Sequence, residues 1–290
     1  MISKIQNFLR SDKAIKKQDN YLEFDIENPD EALQANAVYY NNKEWAEEYF
    51  IYVHRSDAFK SRWHAAIGDI TDKVVVDIGC GPGNLFATLD EKPKVLIGVD
   101  VASVSLEMAA KLGYIPVLAD AHNLPFVSGF ADVVTLNATL HHCQNMDMVL
   151  AEAARLVKPG GYLITDHDPQ FSAWNYKGFA KLLWNVRLLL YRIIGHGFHK
   201  TWTQQYWGLK SEVHHKPGHG VSKSFFEENL IPKGFTTNIY PHNHKLGADV
   251  FQGNTSKADF KFRMANILSG RNPSAPESAL SLMCIARKSM

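Results

Sequence analysis

The sequence predicts an α/β protein built on a doubly wound, mainly parallel sheet. Three observations lead there. An apolar run, Val75 and Val76, leads through Asp77 and Ile78 into the glycine-rich turn Gly79-Cys80-Gly81-Pro82-Gly83. A second apolar run, residues 95–99, ends at Asp100, roughly 20 positions beyond the turn, where a doubly wound fold places a ribose-binding carboxylate. Short apolar runs then alternate with helical stretches as far as Thr165, the rhythm of a parallel sheet with crossover helices.

Each element carries its own reason. In the turn, glycine supplies positive φ and leaves no Cβ in the way, so backbone amides can approach a ligand at the start of the next helix. Its spacing is Gly-x-Gly-x-Gly, because Asn84 stands three residues after Gly81, and this disfavours a dinucleotide pyrophosphate. The third strand, 115–119, ends at Asp120, followed by Ala121. The fourth, 131–136, leads to Asn137 and then to Leu140-His141-His142. A helix over 148–156 and the turn 157–161 precede the fifth, 162–165.

In this order the segments closely resemble class I S-adenosylmethionine-dependent methyltransferases, and in particular the ubiquinone and menaquinone biosynthesis methyltransferases, over roughly residues 70–168. The resemblance implies S-adenosylmethionine as cofactor. It places Asp77, Gly79, Gly81 and Gly83 along the methionine part, Asp100 with Val101 at the ribose, Asp120 and Ala121 at the adenine, and Asn137 beside the sulfonium. It also implies a seven-stranded sheet, with 235–240 as the sixth strand and 279–287 as an antiparallel seventh. An aromatic N-terminal helix folding over the ligand would bring Tyr39 and Tyr40 to it. The residues themselves read foremost as core, since Trp45, Tyr49, Tyr52 and Phe59 approximate helical spacing and predict two helices between Ala35 and Ala66, a stretch that also holds Phe50 and Trp63.

Composition sets limits. A 290-residue chain that is 46% hydrophobic can bury a full core. With 31 basic against 30 acidic side chains no global field invites nucleic acid. Cys80, Cys143 and Cys284 have neither metal-pair nor disulfide-framework spacing, and the N-terminus lacks a secretion-signal core, so a cytoplasmic protein is expected. We divide the chain into a leader with lid helices (1–66), a cofactor-binding core (67–168), a cap insertion (169–221) and the rest of the sheet (222–290) with a second insertion at 241–278.

The cap is where acceptor choice should reside, with Trp174 as a candidate substrate-facing residue. Its segment 179–194 is helical and strongly apolar, broken by Lys181, Arg187 and Arg192; such a helix is either packed on both sides, the reading we favour, or lies on a membrane surface.

Histidine is abundant, with 13 in the chain. His167, His142 and His215, in that order, are candidates for a base that takes a hydroxyl proton as oxygen attacks the sulfonium methyl. The competing use, a divalent metal held by His167 with Asp166 or Asp168, lacks a defined spacing motif, and no metal is expected. The expected function is methyl transfer to a small molecule, foremost to oxygen. The alternatives are carbon methylation of a prenylated quinol or lipid and, more remotely, cofactor binding without catalysis.

Overall fold

The computed structural model describes residues 2–49, 56–89, 92–194 and 201–290. Phe50, Tyr52 and the side chain of Tyr49, three of the aromatics read as lid, lie outside the described residues.

Nine strands form one sheet: β1 (Ile15–Lys17), β2 (Leu22–Phe24), β3 (Val74–Ile78), β4 (Val95–Asp100), β5 (Ile115–Leu118), β6 (Ala131–Asn137), β7 (Val157–Pro169), β8 (Phe235–His242) and β9 (Ser281–Lys288). Their order is β1-β2-β5-β4-β3-β6-β7-β9-β8. The seven from β5 to β8 are the predicted strands, and β9 is antiparallel to both neighbours, as expected. The count of seven is corrected to nine. The leader contributes β2, which pairs parallel to β5, and β1, antiparallel to β2. At three residues each, these strands are too short to show a hydrophobic period. The exposed β1 carries Lys16 and Lys17, charges that blunt a free sheet edge.

Alternation along the strands divides the core between the two faces. Val76 and Ile78 of β3 join one apolar cluster with Ile97, Val134 and Leu163, whereas Val75 joins the other with Leu96, Val133 and Ile164. Helices α1 (Glu31–Tyr40), α2 (Lys43–Tyr49) and α3 (Asp57–Ile67) precede β3, three where two were expected. Asp30 caps α1 by accepting from the Leu33 amide, and Ser56 caps α3 by accepting from that of Phe59. Crossovers α4 (Asn84–Leu89), α5 (Ser103–Lys111) and α6 (Met146–Leu156) connect the strands. After β7 come α7 (Phe171–Trp174), α8 (Gly178–Ile194) and α9 (Trp202–Ser211), followed by α10 (Lys223–Leu230) and α11 (Phe260–Leu268).

The apolar helix 179–194 exists, as α8, but it is not packed on both sides. Phe179, Leu182, Leu183, Val186, Leu189 and Ile193 are all exposed, while buried Ala180 and half-buried Trp184 meet the body. No described helix is long and apolar enough to cross a membrane.

Candidate functional site

The chain runs β3, β4, β5 outward in one direction and then returns to β6 on the other side of β3. That reversal opens a crevice at the carboxyl ends of the strands. A cleft lies there, lined by the turn after β3 and by residues at the ends of β4, β5 and β6.

Its floor is the glycine turn. Gly79 (φ 68°) and Gly81 (φ 52°) both adopt left-handed backbone, which turns the amides of Gly79 and Cys80 onto the Val99 carbonyl and that of Gly81 onto Asp100 Oδ2 at 2.8 Å. A Cβ on Gly79 would stand 2.5 Å from the Thr139 side chain, whose hydroxyl donates to the Ile78 carbonyl. Gly79→Ala should therefore combine positive-φ strain with overpacking and cost roughly 2–4 kcal/mol of stability, read as a lowered urea midpoint at unchanged slope.

Asp100 also accepts from the Ala102 amide through Oδ1 at 2.9 Å. Burial pushes its pKa up, and these backbone donors oppose the rise. Each carboxylate oxygen thus holds one amide and keeps a second lone pair for a ligand, as a vicinal diol requires. At Gly81 a Cβ would meet nothing within 4 Å, so open space lies against the backbone there. Both features fit S-adenosylmethionine.

Asp77 lines the cleft with both oxygens already engaged, Oδ1 by the Thr135 hydroxyl at 2.8 Å and Oδ2 by that of Tyr114 at 2.9 Å. Burial pushes it up to about 7. Asp120 accepts from the backbone and ring of His122. Burial opposes ionisation of Asp120, but the His122 hydrogen bonds outweigh it and hold the carboxyl below its usual range.

Of the predicted cofactor residues, Asp77, Gly79, Gly81, Asp100, Val101, Asp120, Ala121 and Asn137 all line the cleft. Gly83 does not. Its absent Cβ would stand 2.9 Å from the Tyr114 ring and 3.2 Å from Ala109 Cα, so it serves the packing of the turn on α5. Tyr40 lines the cleft, while Tyr39 is buried against Tyr40 and Trp45. Trp174 lies apart, packed edge-on to Trp184 and Phe262 with its indole N–H on the Leu280 carbonyl, where it fastens the cap to the start of β9.

Among the three candidate bases only His142 faces the cleft. The Ser211 carbonyl, 3.0 Å from Nδ1, can only accept, which places the proton on Nδ1 and leaves Nε2 a bare acceptor 3.3 Å from the Tyr40 hydroxyl. Burial and then His141 push the His142 pKa down to about 3, and burial raises that of Tyr40 well above its usual value. The pair is thus a neutral imidazole and a protonated phenol at neutral pH.

His167 is placed elsewhere, with φ 64° after a register shift in β7. Its Nε2 lies 2.9 Å from Arg62, and its ring packs on Phe59 and His244. Arg62 is fully buried and also donates to Asp166, which His242 contacts at 2.7 Å. Burial opposes ionisation of Asp166, but Arg62 and the neighbouring histidines outweigh it and hold the carboxyl well below its usual range. His215 sits edge-on to Trp174 with Nδ1 3.2 Å from Glu212. Among the described residues, no group of three or more His, Cys, Asp or Glu is placed to hold a metal ion.

Sequence reasoning missed Asp30, Asn36, Thr139 and Cys143 in the cleft wall. One signal was available, Pro29-Asp30-Glu31, a helix-start pattern that places α1 and hence Asn36, whose amide donates to the His142 carbonyl at 3.0 Å.

The buried histidines make stability fall with acid. His141, His142 and His244 are pushed down to about 3 by burial, so unfolding takes up three protons as pH falls below 6.5. Asp77 and Asp168, pushed up to about 7 by burial, act oppositely, because the folded chain holds two protons that the unfolded chain releases above 3.8. His167 and His242, also pushed down by burial, add to the first set, and Asp100, pushed up by burial, and His122, held up by Asp120 against burial, add to the second, so the groups that gain protons on unfolding outnumber those that lose them five to four. The urea midpoint should therefore be lower at pH 5 than at pH 7; an equal or higher midpoint would contradict this accounting.

Residues 76–165, from β3 to β7, match the Methyltransferase domain family. Over 114 residues the chain is 32% identical to a fatty-acid O-methyltransferase of Mycolicibacterium smegmatis, covering 37% of this chain and 42% of that protein. Over 104 residues it is 34% identical to a ubiquinone biosynthesis O-methyltransferase of Shewanella pealeana, covering 33% and 44%. The chain thus spans less than half the length of these curated relatives. Among solved structures, a S-adenosylmethionine-dependent methyltransferase of Thermotoga maritima, described as a possible histamine N-methyltransferase, matches 88% of this chain and 99% of its own, with a TM-score of 0.52 at 20% identity, which speaks for a shared fold. The segment built around this cleft thus matches a methyltransferase domain, and the residues of the cleft fit S-adenosylmethionine.

Proposed function

We propose that the protein is an enzyme that transfers the methyl group of S-adenosylmethionine to an oxygen of a small-molecule acceptor, with His142 receiving the hydroxyl proton. The observation that carries the oxygen reading is the His142 ring, the one predicted base on the cleft, with its proton fixed on Nδ1 and its Nε2 lone pair turned toward Tyr40. The cofactor supplies a methyl group already activated by the sulfonium. Asp100 would hold the cofactor against the open backbone at Gly81, with Val101, Asp120 and Ala121 along its nucleoside and Asn137 at the reacting end. His142 and Tyr40 would orient the acceptor hydroxyl. As the new C–O bond forms and the C–S bond breaks, the hydroxyl proton passes to His142 Nε2, so charge balances within the cleft. Alignment and exclusion of water supply the rest of the acceleration. Tyr40, Asn36 and Leu33 on α1 form the wall that shields the cleft.

One observation favours a second reading. The exposed apolar flank of α8 suits a lipophilic acceptor, including carbon methylation of a prenylated quinol. Transfer from isotopically labelled S-adenosylmethionine into aqueous and lipid metabolite fractions, read by mass spectrometry, separates the two. A labelled methoxy product supports the oxygen reading, a ring-methylated quinol supports the second, and no label despite cofactor binding reduces the function to binding.

A further inference from the structure

Nine of the nineteen exposed large apolar side chains among the described residues belong to α8 and α9. On α8, Phe179, Leu182, Leu183, Val186, Leu189 and Ile193 recur at helical spacing along one flank, and Ile193 is 73% exposed. On α9, Trp202, 75% exposed, is followed by Tyr206 and Leu209 at one and two turns. The opposite side of α9 is buried through Gln204, Gln205, Gly208 and Ser211, and the Gln205 amide donates to the Leu188 carbonyl at 2.8 Å, which ties the two helices together. Water-exposed apolar area concentrated in this way marks an interaction surface.

Charge says what it meets. The chain as a whole is balanced, yet residues 169–211 contain no Asp or Glu and six basic residues: Lys177, Lys181, Arg187, Arg192, Lys200 and Lys210. Among the described residues neither Arg187 nor Arg192 pairs with a carboxylate; their guanidinium groups lie 3.4 Å and 3.3 Å from the ring centroids of Trp184 and Trp202. Apolar side chains flanked by cations, of which Lys210 meets the Glu31 carboxylate, fit the boundary between acyl chains and anionic headgroups. A second copy of this chain would set cations against cations. The 17-residue α8 is not a membrane-crossing helix, so the fitting geometry is a helix lying in the interface.

We propose that the α8–α9 face seats the protein on an anionic lipid surface. The docked face is one helix away from the cleft. The last residue of α9, Ser211, offers its carbonyl both to His142 Nδ1 at 3.0 Å and to the Asn36 amide at 3.5 Å, and Lys210 pairs with Glu31 of α1. Resting on the methyltransferase reading, this arrangement presents the α1 wall and His142 to an acceptor arriving from the headgroup layer.

The test is sedimentation of the full chain with phosphatidylcholine vesicles, with and without phosphatidylglycerol, at low and high salt. The expected result is binding to the anionic vesicles only, released by salt, and weakened by about tenfold or more in a Leu182→Glu, Leu189→Glu double variant and in a Lys177→Glu, Lys181→Glu double variant. Both variants should bind S-adenosylmethionine as the wild type does by calorimetry, which confirms that they are folded. No binding to anionic vesicles, equal binding to neutral ones, undiminished binding by the double glutamate variant, or a dimer in sedimentation velocity that this variant dissolves would each overturn the proposal. Vesicle binding that persists in a protein unable to bind S-adenosylmethionine would support the docking face while sinking the methyltransferase reading.

Discussion

Replacing Asp100 with alanine should weaken S-adenosylmethionine binding by on the order of 1–3 kcal/mol, roughly fivefold to 150-fold in Kd by calorimetry. The carboxylate sits at the end of β4, where it accepts the Gly81 and Ala102 amides and turns its remaining lone pairs toward the cleft. Two effects contribute to the loss. The ribose hydroxyls lose charged acceptors, and the glycine turn loses the group that orients the Gly81 amide. Asparagine separates them, because it keeps one carbonyl acceptor while its NH2 group opposes one of the two backbone donors. If turn support dominates, both variants should show a lowered urea midpoint along with weaker binding. If ribose binding dominates, Kd should rise with little change in midpoint. An unchanged Kd in the alanine variant would refute the ribose assignment.

Asp100 was legible in the sequence because an apolar run ending in an acid after a glycine turn has few structural solutions. The same holds for the strands β3 to β7, whose apolar runs are long enough to declare themselves. The two leader strands were not legible, since Ile-Lys-Lys and Leu-Glu-Phe carry no period and owe their strand form to the β5 edge beside them. His167 stands away from the cleft for a different reason. Position after a strand says that a side chain is near the sheet edge, not which way it turns. Its direction depends on a positive φ and on Arg62, a partner 105 positions away on α3. Arg62 itself gave no sign of being buried, because composition does not reveal that Asp166 and the Leu246 carbonyl would enclose it. Likewise, the apolar composition of α8 announced a helix without saying how many of its sides would be covered.

His142→Ala should lower kcat by about 10²–10⁴-fold while leaving S-adenosylmethionine affinity nearly unchanged. The contrast with Asp100 follows from position: His142 lies on the cleft wall formed by the 3-10 turn after β6, opposite the Tyr40 hydroxyl, and holds none of the glycine-turn amides. Its proton inventory sets the pH profile. With Nδ1–H on the Ser211 carbonyl and burial pushing its pKa down to about 3, the ring is neutral, with Nε2 unprotonated, throughout pH 5–8. The acid limb of kcat/KM should therefore fall well below the ordinary histidine value near 6.5, and the wild-type rate should not halve on passing from pH 7.5 to 6.5. Tyr40→Phe removes the hydroxyl that faces Nε2 and should cost less, about tenfold in kcat, if Tyr40 positions the acceptor while His142 takes the proton. Equal losses in the two variants, with no further loss in the double variant, would mean that the pair works as one relay. A His142→Ala enzyme with undiminished kcat would remove the base from the mechanism and favour an acceptor that needs no proton taken at this position.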